Sequence, residues 1–355
     1  MVLIPVTRRR ALYLVGGLAG GLALHSCAQP STTPESSPSA SAEASPTAPV
    51  KATTGSTLWI GYAPLYVALE KGFFKEGGLD LSHTVFSGST EGDAAFASGR
   101  IEGVNNVTSE AVALAAKGQD FRIVQVADTS LGGDGILARN SIGSIEDFKG
   151  KEIAVDVGGV SHFFLLQVLK EAGLTDKDVT ITNLTPDAAA AAYQAGRVEI
   201  AVTYSPFLGQ SNDAQPDGRI IFDTSKMPTA IVDVYLFSTK FVEENPAAVE
   251  AYVRGIYKGI EFIKSNPDEA YAIAGKQLEL TPEEVETELK GVGLASPEDN
   301  VKMLAEPDSG VYLLDHMDAL GQFLKSQDQI PEAPAVDTLK QTIDPTFVKA
   351  VMANP

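Results

Sequence analysis

Apolar and polar positions change period repeatedly along this chain. Residues 57–61 (TLWIG) form a short apolar run, and residues 63–74 (APLYVALEKGFF) follow the helical period with Pro64 in the first turn. The pattern predicts a strand at 79–86, a helix at 90–98 ended by Gly99 and a strand at 101–108. A helix at 110–117 ended by Gly118 and a strand at 121–128 follow. The same grammar restarts at Glu152: strand 152–157, helix 161–172, strand 179–184, helix 187–195, then strands 198–204 and 219–222. Strands alternating with helices imply parallel sheets covered on both faces.

The two halves share an echo: residues 95–102 (AFASGRIE) match residues 192–199 (AYQAGRVE), each a helix ending on glycine and feeding an apolar strand. Recurring at the same point of two successive runs, it predicts two similar lobes. After a strand-like run at 231–238 the chain reads as helical: 245–265, 267–277, 282–291 and 312–326. The segments 121–139 and 229–240 lie at the lobe boundaries and serve as the crossings. Lobe 1 then comprises 57–138 and 236–355, and lobe 2 comprises 139–235. Two α/β lobes with two crossings suit hinge closure over a ligand.

The first 56 residues read differently. Arg8, Arg9 and Arg10 precede an apolar run at 11–24, which is 14 residues long. That is too short to span a bilayer but fits the core of a signal peptide, 1–26. The arginine pair resembles a twin-arginine export signal. Leu24-His25-Ser26-Cys27 resembles a lipobox, with Cys27 as the lipid-bearing residue that would hold the protein on a membrane. Residues 28–56 are nearly all Ser, Thr, Pro and Ala and predict a flexible spacer.

Charge narrows the function. The chain carries 27 Lys+Arg against 46 Asp+Glu, a formal net charge of -19. Three of the basic residues lie in the first 26, so the remainder, 24 basic against 46 acidic, balances at -22. Such a field repels phosphate and argues against nucleic acid as a partner. Cys27 is the single cysteine, which excludes an internal disulfide framework and a thiolate-ligated zinc or iron–sulfur centre. The four histidines lack metal-binding spacing, so neither metal nor cofactor is expected.

Gly61-Tyr62-Ala63-Pro64-Leu65-Tyr66-Val67-Ala68 followed by Lys71-Gly72-Phe73-Phe74 is similar to the opening of the periplasmic solute-binding proteins of nitrate, sulfonate and taurine importers. Ser87-Gly88-Ser89, Asp147-Phe148-Lys149-Gly150-Lys151 and Ala195-Gly196-Arg197 fit the same NMT1/THI5-like pattern, and the resemblance spans about 57–340. It implies a type II periplasmic binding protein fold, with two Rossmann-like lobes and extra C-terminal helices. It further implies a monomeric receptor that performs no chemistry and delivers a small molecule to an ABC permease outside the cytoplasm.

In such folds ligands lie beyond the carboxyl ends of the strands. Ser89 and Ser161 stand at helix starts, where hydroxyls and free N–H groups cradle oxyanions or simply cap the helix. Glu91, Glu110, Asp134 and Asp233 also fall at these ends, with His162 the single candidate cation and Tyr62, Tyr66 and Tyr204 as aromatic faces. Glu91 and Glu110 suit first helical turns whatever the function. Asp134, in the glycine-rich segment 131–135 (LGGDG), and Asp233, in the otherwise apolar run 231–237, are harder to explain this way, since an acid in an apolar strand must be paired or exposed. This acidic surround leads to the expectation of a small nitrogen-rich cation, guanidinium or amine-like, paired with carboxylates. A small oxyanion (nitrate, sulfonate, taurine) or a pyrimidine is the rival ligand. A thiamine-pyrimidine synthase-like enzyme and a ligand-sensing module are the rival functions.

Overall fold

A computed structural model describes residues 48–354. The signal segment, Cys27 and most of the expected spacer lie outside the described residues. The chain order is β1 (Val50–Ser56), α1 (Ala63–Lys71), α2 (Phe73–Glu76), β2 (Leu79–Val85), α3 (Ser89–Ala97), β3 (Gly103–Val107), α4 (Thr108–Ala116) and β4 (Phe121–Ser130). It continues through β5 (Asp134–Arg139), β6 (Glu152–Val155), α5 (Val160–Glu171), β7 (Thr180–Asn183), α6 (Pro186–Gln194), β8 (Ile200–Tyr204), α7 (Phe207–Ala214) and β9 (Gly218–Asp223). The return leg comprises β10 (Val232–Ser238), α8 (Thr239–Glu244), α9 (Pro246–Ser265), α10 (Pro267–Leu278), α11 (Pro282–Leu289) and β11 (Val292–Leu294). It ends with α12 (Pro297–Ala305), α13 (Leu313–Ser326), α14 (Val336–Thr342) and α15 (Thr346–Ala353).

The strands form two sheets, β11-β4-β10-β3-β1-β2 and β7-β6-β8-β5-β9. Apart from β11 they are built alike: three parallel strands, one antiparallel strand, then a fifth. The antiparallel member in each case enters from the other half of the chain, β10 in the first sheet and β5 in the second. Wholly parallel sheets were expected, and these two strands correct that. A strand's direction relative to its neighbours is set by where the chain crosses, which local periodicity does not record.

The first sheet ends at Ser130 and the second begins at Asp134; the second ends at Asp223 and the first resumes at Val232. Hence 134–138, assigned by sequence to lobe 1, pair in the second sheet, and 232–235, assigned to lobe 2, pair in the first. The crossings are shorter than expected because both antiparallel strands start directly at the hinge.

The spacer assignment also needs correction at its end, since Val50–Ser56 is an interior strand between β2 and β3. Its Ser and Thr composition hides this. Thr54 Oγ1 meets His83 Nδ1 at 2.9 Å and Ser56 Oγ meets His83 Nε2 at 3.0 Å, so the buried hydroxyls are satisfied by one imidazole. Ser56 Oγ donates to the Thr57 carbonyl at 2.7 Å. The hydrogen-bond network therefore assigns the ring proton to Nε2, leaving Nδ1 to accept from Thr54. Burial pushes the His83 pKa down to about 4, consistent with a neutral ring.

The return helices cover the first lobe. Helix α9 lies close against α1 because Gly259 has no side chain: a Cβ there would sit 2.2 Å from the Pro64 carbonyl oxygen. Close approach lets Phe74 stack on Tyr252, with centroids 5.2 Å apart. Leu65, Tyr252, Val253 and Ile256 are buried in this core, which holds the α1 end of the cleft rigid.

Candidate functional site

Between the sheets lies a narrow cavity lined by Thr57, Trp59, Tyr62, Ser89, Asn105, Val107, Glu110, Asp134, Val160, Tyr204, Ile231 and Asp233. Its volume is about 20 Å³, room for one or two water molecules. Both lobes contribute: Trp59 from the first packs edge-on against Tyr204 from the second, centroids 6.0 Å apart. Both crossings contribute as well, through Asp134 just after the first and Ile231 and Asp233 around the end of the second.

Six of the ten residues singled out from the sequence line this cavity: Tyr62, Ser89, Glu110, Asp134, Tyr204 and Asp233. The other four are not part of its lining. Tyr66, one helical turn after Tyr62, is buried against His83, ring centroids 6.4 Å apart. Glu91 is exposed on α3. Ser161 is buried with its hydroxyl unpartnered among the described residues. His162 turns back to accept from the Gly158 N–H at 3.3 Å, and burial lowers its pKa, so it supplies no cation.

Sequence reasoning missed Trp59 and Asn105. Trp59 was read only as part of a short apolar run, whereas residues 60–62 form a 3-10 turn that leads into α1. Asn105 was visible as a polar residue in the apolar strand GVNNV.

One wall of the cavity accepts hydrogen bonds. Asp233 accepts from the Tyr62 hydroxyl at 2.8 Å. Behind it Asp128, fully buried, accepts from the Trp59 indole N–H at 3.2 and 3.3 Å. Burial pushes the pKa of Asp128 and Glu110 up to about 8 and that of Asp134 up to about 7; that of Asp233 is also raised. Burial is the leading cause throughout, reinforced by charge repulsion from Asp134 at Asp128, from Asp93 at Glu110, and from Asp128 and Asp134 at Asp233. No Lys or Arg lines the cavity among the described residues. Other groups donate. Asn105 Nδ2 is buried with no hydrogen-bond partner among the described residues while its Oδ1 accepts from Tyr252 at 3.2 Å, and Ser89, Thr57 and Tyr204 add hydroxyls. The cavity thus sets buried carboxyls and hydrogen-bond donors side by side: Tyr204 is paired in register with Asp134, and Glu110 follows β3.

The family model for NMT1/THI5-like proteins matches residues 59–270. The chain belongs to this family. It is 27% identical over 271 residues to the taurine-binding periplasmic protein of Escherichia coli (strain K12), covering 73% of this chain and 81% of that protein. Among solved structures, the alkanesulfonate-binding protein SsuA from Xanthomonas axonopodis pv. citri, bound to MOPS, aligns with a TM-score of 0.69 at 18% identity. That alignment covers 84% of this chain and 100% of the other. The periplasmic nitrate-binding protein NrtA from Synechocystis PCC 6803 gives 0.68 at 15% identity, over 86% of this chain and 89% of that one. These similarities identify the two sheets with their antiparallel insertions as the periplasmic binding protein fold.

Proposed function

We propose that this NMT1/THI5-like protein is the substrate-binding component of an ABC importer, and that its solute is a small zwitterion of the taurine type. The observation that carries the reading is a cavity lined both by buried carboxyls and by hydrogen-bond donors. Taurine bears a sulfonate and an ammonium two carbons apart. The ammonium would lie against Asp134 and Asp233, forming charge-assisted hydrogen bonds that keep those carboxylates ionised. The sulfonate would take the Asn105 amide and the hydroxyls of Ser89, Thr57 and Tyr204.

This replaces the expectation of a purely cationic, guanidinium-like ligand. The similarity to a taurine-binding protein points to an oxyanion-bearing solute, and a lone cation would leave the donor wall unused. A lone oxyanion would find no positive side chain on the cavity lining among the described residues, and would require Glu110, Asp134 and Asp233 to stay protonated. The zwitterion carries its own compensation.

A cavity of about 20 Å³ is too small to admit taurine without separation of the walls. Capture therefore runs through opening and reclosing at the crossings, and the permease would read the closed form. On this reading the protein works outside the cytoplasm, and the N-terminal segment supplies export and a lipid on Cys27. Loss of membrane retention in Cys27→Ser would test the anchor.

Isothermal titration with taurine, ethanesulfonate, ethylamine, guanidine and nitrate tests the ligand. Taurine is expected to bind at least about tenfold more tightly than either half-molecule, as each lacks one paired charge worth about 1.4 kcal/mol or more. Guanidine or nitrate binding more tightly than taurine would refute the reading.

A further inference from the structure

Glu110 does something its place in a first helical turn does not require. As the third residue of α4 it turns back so that Oε2 accepts from the Val107 N–H at 3.3 Å, an ordinary arrangement at a helix start. Its other oxygen crosses the cleft. Oε1 accepts from the backbone N–H of Val160 at 3.0 Å, and Val160 is the first residue of α5 in the opposite lobe. The carboxylate is 3% exposed. It thus occupies the free N–H at the start of a 12-residue helix, where the helix dipole favours a negative charge.

We infer that Glu110 is the interlobe latch: by accepting from Val160 while anchored to Val107 it ties α4 to the start of α5 and sets how long a bound solute is retained. The geometry separates this role from ligand contact. The hydrogen bond exists only when the lobes are together, because its acceptor lies on α4 of one lobe and its donor on α5 of the other. Opening removes it and leaves both the carboxylate and the Val160 N–H to water. A latch of this kind acts on release more than on capture, since the encounter with solute precedes its formation. It also leaves α5 with no free first N–H for the solute's sulfonate, which directs that group to the Asn105 and Ser89 side. The inference rests on the hinge reading above, but its first test needs no ligand.

Two substitutions address the bond from opposite ends. Glu110→Gln keeps the shape but has one acceptor oxygen for the two N–H groups of Val107 and Val160. Val160→Pro removes the donor and keeps an apolar side chain on the cavity wall; proline at the first helical position is tolerated and Gly159 before it is already extended, with φ -97° and ψ -179°. Small-angle scattering of the ligand-free full chain should give a larger mean radius for Val160→Pro than for the wild type, with Glu110→Gln between them. Stopped-flow displacement of taurine, read through Trp59, should show dissociation faster by about tenfold or more for Val160→Pro, with association nearly unchanged. The double variant should be no faster than Val160→Pro, since both changes break one bond. Unchanged scattering in both single variants, or additive dissociation rates, would overturn the latch. So would a loss confined to association. If taurine does not bind the wild type, the proposed solute fails while the scattering comparison still decides the latch.

Discussion

Asp134→Asn tests whether the cavity trades stability for ligand recognition. Asp134 sits at the first residue of β5, 2% exposed, where its backbone N–H donates to Ser130 Oγ at 3.1 Å. Burial raises its pKa from 3.8 to about 7, opposed in part by hydrogen bonding from the Ser130 side chain. A carboxyl whose folded pKa is raised contributes no penalty below its unfolded pKa. It then costs stability progressively as pH rises from about 4 through about 7. The separation between 3.8 and about 7 corresponds to about 4 kcal/mol at pH 8, an upper bound because water entering the cleft relieves part of it. Asn keeps the shape without the charge. The variant should therefore match the wild type near pH 4 and exceed it at pH 8 by as much as about 4 kcal/mol, or about 8 °C in Tm for a chain of this size. Thermal melts of the ligand-free protein across pH 4–8 measure this directly. Taurine affinity should fall at least about tenfold in the same variant. Parallel pH profiles, or an Asn variant less stable at pH 8, would refute the reasoning.

Other expectations follow from single contacts. Tyr62→Phe deletes the hydroxyl that donates to buried Asp233 and should cost about 1–3 kcal/mol in urea denaturation. His83, held neutral with its pKa near 4 against 6.5, should make the protein lose about 3 kcal/mol as pH falls from 6.5 to 4; His83→Gln should remove that acid-side slope in melts. Gly259→Ala drives a methyl into the Pro64 carbonyl and should destabilise by about 1–3 kcal/mol or more, with taurine affinity at saturation of the folded form unchanged.

The sequence made the lobes legible because each helix–strand unit carries its own punctuation, such as the glycines at 99 and 196. It did not reveal β1, whose hydroxyl-rich face is satisfied by His83 nearly thirty residues away. It did not reveal the antiparallel β5 and β10 either, since each pairs according to where the chain crosses between lobes. At the site, Asp134 stood out in a glycine-rich segment and Asp233 in an apolar run, and both line the cavity. Ser161 and His162 share a helix start with Val160, yet of the three only Val160 lines the cavity, and His162 instead accepts from the Gly158 N–H. Glu110 was read as a residue suited to its own helix, which it is; its second partner, Val160, lies fifty residues on and is brought near only by the pairing of the lobes.

Trp59 is the single tryptophan of the chain and forms part of the cavity wall, where it donates to Asp128 and touches Tyr204 of the other lobe. Equilibrium titration of its fluorescence with taurine, against ethanesulfonate and ethylamine, tests the central claim most directly. A saturable change with taurine, and changes with the other two only at concentrations at least about tenfold higher, is the expected result. Saturation by ethylamine or ethanesulfonate at taurine's own concentrations, or an emission spectrum indifferent to taurine, would contradict it.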